Sequence, residues 1–343
     1  MRALTIDSFA KIPEGLNLRD DWPEPSKAEL KPTELFVKVA ASSINPVDWK
    51  IAEGMLKPIT TIPLPKVISF DLSGTVEAVG SAVTRFKKGD AIIVRLPTTD
   101  GSCQEYVAVE EKYVSKMPSN LSFEEAAGIP LAAQTALQSF DDAGLDPNAD
   151  NSGKKAFVPA GLGGVGLFAT QILKNVYGFQ VATTVSTNKV EKMKELVPGI
   201  EVVDYKTTDY TTKLSDVDYV LDTTGDLANE AKIVRKGAVV NSIAAMPDPD
   251  VISKRLGPPP FYIRPVLRCL SWWQSRPLRS AGATYSYVWM EPDHKCLDKI
   301  SKWIEDGKVK VVVDSVHPWK DAKEAFVRSK QSITGKVIIK VEN

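Results

Sequence analysis

Residues 155–177 constrain the fold more than any other stretch of this chain. Lys155-Ala156-Phe157-Val158 has the length and apolarity of a buried strand. A glycine-rich turn follows, Ala160-Gly161-Leu162-Gly163-Gly164-Val165-Gly166, and Leu167 to Tyr177 then repeats Phe168, Ile172, Leu173 and Val176 at helical spacing. Strand, glycine turn and helix in this order are the parts of a dinucleotide-binding βαβ unit. Gly161 and Gly163 allow a tight turn and a close approach of backbone to a pyrophosphate, with Gly164 and Val165 beside it where the helix begins. Gly166 lets the helix pack close to the strand, and the helix N-terminus offers free N–H groups and the positive end of its dipole. A glycine triplet alone carries little weight; the strand before it and the helix after it make the reading specific. Pro159 removes a donor at the end of what should be a central strand, so the chain must already be leaving the sheet there.

The 343 residues leave room for about two domains. Its 43 basic and 43 acidic residues cancel, which points away from nucleic acid and from an anionic membrane as partners. No apolar run approaches the length of a membrane span. Met1 to Ile6 goes straight into an alternating strand pattern, without the apolar core of a signal peptide. Cys103, Cys269 and Cys296 are scattered and odd in number, as suits a reducing compartment, and the cytosol is the expected location.

Residues 1–123 are rich in strand patterns: Leu35 to Val39, Thr75 to Val79 and Ala91 to Val94 alternate, punctuated by Gly74, Gly80, Gly89-Asp90 and Pro97. Short strands with frequent turns predict a compact, barrel-like β domain. From residue 124 helices enter, at Glu124 to Ala127 and Ala132 to Phe140, and strands and helices then alternate. The strands are 155–158, 179–185, 200–204, 217–222 and 237–243, with helices between them such as Lys189 to Leu196. That alternation predicts an α/β domain with a doubly wound parallel sheet. Residues 247–280 break the rhythm. Pro247, Pro249, Pro258-Pro259-Pro260 and Pro265 exclude a regular element, while Phe261, Tyr262, Trp272 and Trp273 are too apolar for a disordered linker, leaving a packed surface loop or a lid. Ala283 to Val288 is then a strand and Cys296 to Glu305 a helix. Val309 to Asp314, Lys320 to Arg328 and Lys336 to Val341 close the chain as strand, helix and strand.

In an NAD-binding unit an acid about 20 residues past the first glycine accepts the ribose hydroxyls. Here the second strand runs instead into Ser186-Thr187-Asn188-Lys189. Two hydroxyls, an amide and a lysine form a nest for a 2′-phosphate, with Tyr205 placed to stack on adenine or reach the same phosphate. The same residues also suit a cap for the next helix, and the two roles are compatible. NADPH is the expected cofactor.

Beyond these local patterns, the chain resembles the medium-chain dehydrogenase/reductase superfamily, and within it the zinc-free quinone oxidoreductases and plant-type enone oxidoreductases. The likeness rests on Asn45-Pro46-Val47-Asp48-Trp49-Lys50, Phe70-Asp71-Leu72-Ser73-Gly74-Thr75-Val76, Gly89-Asp90, Gly128-Ile129-Pro130-Leu131 with Thr135-Ala136, the tetrad 186–189, Tyr205 and Thr334-Gly335-Lys336-Val337. It implies a GroES-like β-rich catalytic domain, residues 1–123 completed by 295–343, and a Rossmann NADPH-binding domain over 124–294. Ser69, Cys103 and Pro159 depart from the family pattern.

The resemblance also bears on the chemistry. Zinc-dependent members need Cys, His and acid ligands. This chain has only His294 and His317, no Cys-x-x-Cys, and Ser69-Phe70-Asp71 at the family's Gly-His-Glu position, so no metal site is expected. Without zinc to polarise a carbonyl, the acceptor must already be electrophilic: an enone, an alkenal or a quinone. The protein would position that small molecule and offer donors to the developing enolate oxygen. Candidate donors are Lys50, Asn45, Tyr262 and Tyr287. Lys50 resembles a family lysine that reaches the cofactor, and is otherwise a solvated loop lysine; Tyr287 is otherwise a sheet aromatic. Thr135 and Ile243 resemble positions lining the nicotinamide side, and Asp48 is equally suited to fixing its loop. The family also contains enoyl reductases that partner polyketide synthases, and cofactor-binding relatives with non-enzymatic roles, which remain as alternatives. The Thr, Tyr and Val content of 283–288 makes edge-strand pairing into a homodimer the expected assembly, unless the proline-rich segment covers that edge.

Overall fold

The computed structural model describes residues 1–342. They form two compact units, one of 1–57, 61–134 and everything from Glu291 onward, the other of 58–60 and 135–290.

The first unit is built on a seven-stranded sheet to which both ends of the chain contribute. Its centre is Glu34–Ile44, which pairs antiparallel with Asp71–Val79, Tyr106–Glu110 and the C-terminal strand Lys336–Lys340. Register shifts at Phe36/Val37 and Val39/Ala41 bend this long strand, as bulges do, so that it serves several partners. Leu4, Phe70, Leu72, Val94, Phe326 and Ile339 are among the side chains that fill its core. The strand expected at Val309 to Asp314 forms later, at Val313–Pro318. The valines of 311–313 suit either position, but the partner strand decides: pairing runs from Val313↔Lys336 to Pro318↔Lys340. Gly335 permits the close approach where it begins, because a Cβ there would lie 2.0 Å from the Val312 carbonyl oxygen.

The second unit holds six parallel strands: β1 (Lys155–Val158), β2 (Gln180–Val185), β3 (Glu201–Asp204), β4 (Val217–Asp222), β5 (Val234–Ser242) and β6 (Thr284–Tyr287). Their order is β3-β2-β1-β4-β5-β6, so the doubly wound arrangement reverses direction between β1 and β4. β1 ends at Val158, and Pro159 lies just outside the ladder.

Residues 247–280 overturn one expectation. They contain two helices, Pro249–Leu256 and Arg264–Ser280. Position explains why Pro249 and Pro265 do not exclude them, whereas Pro277 lies inside the second helix, close to its end. Pro249 and Pro265 sit in the first turn of each helix, where the amide has no intrahelical partner in any case. Asp248 caps the first helix by accepting from the Asp250 amide at 2.8 Å, and Gly257, at φ 83°, ends it before Pro258. Among the described residues, no helix is long and apolar enough to cross a membrane.

Candidate active site

In the second unit the carboxyl ends of β1, β2, β4 and β5 meet at the point of reversal, where open α/β sheets bind ligands. The glycine turn there is held from inside. A Cβ on Gly161 would come within 2.1 Å of Thr183 Oγ1 on β2, and one on Gly166 within 2.4 Å of the Ala160 carbonyl oxygen. Ala160 itself takes the left-handed conformation, at φ 52°. Gly163 is different: a Cβ there would meet only the Ala160 oxygen, at 3.1 Å, and the residue is half-buried. Gly163 is also the N-cap of the helix Gly164–Asn175 and supplies no side-chain cap. The first-turn amides of Gly164 and Val165 are therefore left to an external acceptor. A small, partly open turn in front of uncapped amides fits a dinucleotide pyrophosphate.

The tetrad lies at the end of β2. Ser186 Oγ donates to Asn188 Oδ1 at 2.9 Å, and Thr187–Lys189 forms one 3-10 turn leading into the helix Val190–Leu196. Neither that turn nor the helix is capped by a tetrad side chain. Two neighbours were not apparent from the sequence. Asp204, opposite Val185 in the β2–β3 register, takes a hydrogen bond from Thr187 that holds its carboxyl below the usual carboxylate range, against a smaller opposing effect of burial. Lys206 places its ammonium 5.2 Å from the exposed ring of Tyr205, just past the end of β3.

A buried carboxylate organises the ends of β4 and β5. Asp222 accepts from the amides of Thr224 (2.8 Å) and Gly225 (2.6 Å) and from Ser242 Oγ (2.6 Å). Ser242 Oγ in turn accepts from the Ala244 and Ala245 amides, fixing the loop that begins at Ile243. The Tyr287 hydroxyl donates to the Ile243 carbonyl at 3.5 Å, and burial, with Asp222 nearby, pushes its pKa up to about 12. It is a phenol that keeps its proton. Tyr262 is two-thirds exposed and packs edge-on against Phe261. Thr135 is buried, its carbonyl accepting from Ser139 Oγ at 2.7 Å.

The first unit contains a buried charged cluster around Asn45. This residue caps the helix Pro46–Ala52 while its own amide donates to Asp48 Oδ2 at 2.6 Å. Its Nδ2 donates to Asp71 Oδ2 at 2.8 Å. Lys336 donates to the Ile44 carbonyl at 3.1 Å and to Asn45 Oδ1, and its ammonium lies 3.9 Å from Asp71. Asp71 also accepts from Ser43 Oγ and the Leu131 amide. Asp48 has less support, since its Oδ1 has no partner, and burial above all raises its pKa to about 7. Asp71 thus accepts from neutral donors with the Lys336 ammonium beside it and the buried Arg95 guanidinium also acting on its charge. Lys50, on the same short helix, is half-buried with its ammonium 5.8 Å from the Trp49 ring.

Two family models match the chain. One describes an alcohol dehydrogenase GroES-like domain and covers residues 31–119; the other describes a zinc-binding dehydrogenase and covers 199–339. An NADPH-dependent alkenal/one oxidoreductase of Arabidopsis thaliana is 33% identical over 91% of this chain and 73% of its own. A chloroplast envelope quinone oxidoreductase homolog from the same plant is 31% identical over 99% of this chain and 98% of its own. The chain belongs to the medium-chain dehydrogenase/reductase superfamily, in its quinone and enone oxidoreductase branch. The fold agrees with that of a quinone oxidoreductase from Coxiella burnetii, at a TM-score of 0.81 and 24% identity over 100% of this chain and 99% of that one. As in other members of the superfamily, the GroES-like part comes first and a Rossmann-type parallel sheet follows.

Proposed function

We propose that this protein reduces α,β-unsaturated carbonyls at the C=C bond, or quinones, with hydride from NADPH and without a metal. The observation that carries this reading is the uncapped set Ser186, Thr187, Asn188 and Lys189 at the end of β2, in the same unit as the glycine turn. The relative named as an NADPH-dependent alkenal/one oxidoreductase supports both the cofactor and the substrate class, and the quinone oxidoreductase homolog supports the second acceptor. NADPH, when bound, supplies the hydride. The glycine turn and helix amides would hold its pyrophosphate and the tetrad with Tyr205 its 2′-phosphate end, while Thr135, Ile243 and Lys50 are the residues that the family resemblance would assign to the nicotinamide. Conjugation delivers the negative charge to the substrate oxygen, where Asn45, Lys50, Tyr287 or Tyr262 can hold it by donating a hydrogen bond. The α-carbon then takes its proton from solvent.

Zinc has no place in this reading, because Asp71 is engaged by Lys336, Asn45 and Ser43. Deuteride-labelled NADPH, used with enzyme dialysed against a chelator, should leave its label on the β-carbon of an enone product at undiminished rate. Label on the carbinol carbon with the C=C intact would identify a carbonyl reductase instead, and activity restored only by zinc would reverse the metal assignment.

Specificity for the phosphorylated cofactor gives a separate expectation. A charge-assisted bond to phosphate contributes roughly 1.5–3 kcal/mol, so Lys189→Ala should weaken NADPH about 10-fold or more and leave NADH nearly unchanged. Equal affinities of the wild type for the two cofactors would refute it.

We assign a homodimer contact to β6, which lies at the edge of the parallel sheet. Sedimentation should give twice the chain mass, lowered by a proline at Ser286; a concentration-independent monomer would rule the contact out. All three cysteines are unpaired, which supports a reducing compartment such as the cytosol.

A further inference from the structure

The helix Arg264–Ser280 leaves large apolar side chains exposed beside its arginines while it buries little apolar surface of its own. Leu267, Ser271, Ser275 and Leu278 are the buried residues, so half of the stripe that packs on the domain is serine. Ser275 satisfies its hydroxyl by bonding back to the Ser271 carbonyl at 2.7 Å. Val266, Leu270 and Trp273 recur at i, i+4 and i+7 on the opposite side, 56%, 41% and 67% exposed. Trp272, turned toward the arginines, is 55% exposed, and Phe261, just before the helix, is 85% exposed. Large apolar side chains exposed together on one segment in this way mark an interaction site.

Charge indicates the partner. Helix 264–280 contains Arg264, Arg268, Arg276 and Arg279 and no acidic residue. Over 248–280 there are six basic residues against two acidic ones, in a chain whose overall charge is zero. Asp250 pairs with both Arg264 (3.3 Å) and Arg268 (2.9 Å), one carboxylate for two guanidinium groups. Arg276 and Arg279 lie beside the Trp272 ring, 6.0 and 5.6 Å from its centroid. A recess of about 550 Å³ opens between Arg264, Pro265, Arg268, Cys269 and Trp272, with guanidinium groups and an indole at its wall. A second copy of the chain fits this face poorly, since a two-fold contact would press the same arginine-rich surface against itself. Aromatic and aliphatic side chains flanked by arginine suit the headgroup boundary of an anionic bilayer, where indole and phenol rings settle and guanidinium groups meet phosphate.

We infer that helix 264–280 docks this protein on the surface of an anionic lipid bilayer, lying in the plane of the interface with Val266, Leu270 and Trp273 turned toward the acyl chains. Surface docking needs no membrane-spanning helix. The zero net charge of the whole chain does not oppose it, because electrostatic attraction to a membrane acts within a Debye length and so depends on the local charge.

The test is co-sedimentation of the full chain with vesicles of phosphatidylcholine, alone or mixed with phosphatidylserine. Binding is expected on the mixed vesicles at low salt, weakened by added salt, with a blue shift of tryptophan emission. The Arg276→Gln/Arg279→Gln variant should partition about 30-fold less well, from ~1 kcal/mol for each basic side chain at an anionic surface. Leu270→Ser/Trp273→Ser should lose both binding and blue shift. All four side chains are exposed, so unchanged melting temperatures will separate lost docking from lost folding. Absence of phosphatidylserine-dependent binding at low salt would overturn the inference. So would self-association that Leu270→Ser/Trp273→Ser abolishes without any vesicle binding, which would assign the face to a second copy.

Discussion

Replacing Lys336 by methionine is expected to destabilise the first unit by about 3–5 kcal/mol at neutral pH, the range for breaking a buried ion pair from one side. Methionine has a similar length and would fill the space, so lost packing is not the reason. Lys336 is 3% exposed and Asp71 is fully buried. Without the ammonium, Asp71 either carries a charge that only Arg95 still opposes or takes up a proton, and both Asn45 Oδ1 and the Ile44 carbonyl lose a donor. The carboxyl pKa, already raised by burial, must rise further, because Lys336 is the largest influence lowering it. Adding Asp71→Asn to Lys336→Met should recover much of the loss by removing the stranded charge, and the double-mutant cycle should return a coupling of several kcal/mol. Urea denaturation of the four proteins decides the matter. A loss under about 1 kcal/mol for Lys336→Met would mean that the ammonium is not the counter-charge of Asp71.

This pair also shows where sequence reasoning stops. Lys336 and Asn45 lie 291 positions apart, and no local periodicity connects them. One signal was present: a lysine between Gly335 and the apolar run Val337-Ile338-Ile339 belongs to a strand buried on both faces, where a cation must find an anion. The alternation of strands and helices over 155–222 was legible because each element advertises its own period. The glycine turn was legible because its two neighbours are adjacent in sequence. By contrast, the strand at Val313–Pro318 takes its register from a partner more than a loop away, so the run of valines misplaced it. Pro249 and Pro265 misled by number; their first-turn positions mattered, and Asp248 before Pro249 is a cap-and-first-turn signal in plain view.

The cofactor side divides in the same way. Ser186 to Lys189 follows directly from the end of β2 and could be found by counting from the first glycine. Asp204 reaches the tetrad only through the β2–β3 pairing. Asp222 was hidden among the residues of β4, although an acid that ends an otherwise apolar strand and is followed by Thr-Thr-Gly is a candidate for binding the turn amides, as it does here.

Glu230→Gln is expected to flatten the dependence of stability on pH. Glu230 closes the short helix Leu227–Glu230 and is fully buried. Asp222 and Asp226 face it, and Tyr210, whose hydroxyl donates to Asp226 at 2.9 Å, lies on the same side. Neither Glu230 oxygen has a donor from another residue, and a hydrogen bond between two carboxyl groups exists only while one of them holds a proton. Burial, then the charges of Asp222 and Asp226, raise the Glu230 pKa well above its ordinary 4.5. Glu230 is therefore the protonated member of this cluster, beside Asp222, whose carboxylate oxygen accepts from the Thr224 and Gly225 amides. Below pH 4.5 both folded and unfolded chains hold this proton and the group costs nothing. Above it the unfolded chain releases the proton while the native state retains it, so stability falls by about 1.4 kcal/mol for each pH unit until the native pKa is passed. Glutamine keeps a donor toward Asp222 but has no proton to lose. The stability advantage of Glu230→Gln should therefore grow as the pH rises above about 4.5, by at most about 1.4 kcal/mol per pH unit. Because native Glu230 keeps its proton over this interval, Asp222 goes on fixing Ser242 and the loop after it, and cofactor affinity should stay level in both proteins. Parallel stability curves for the two proteins would show instead that Glu230 is ionised in the native state.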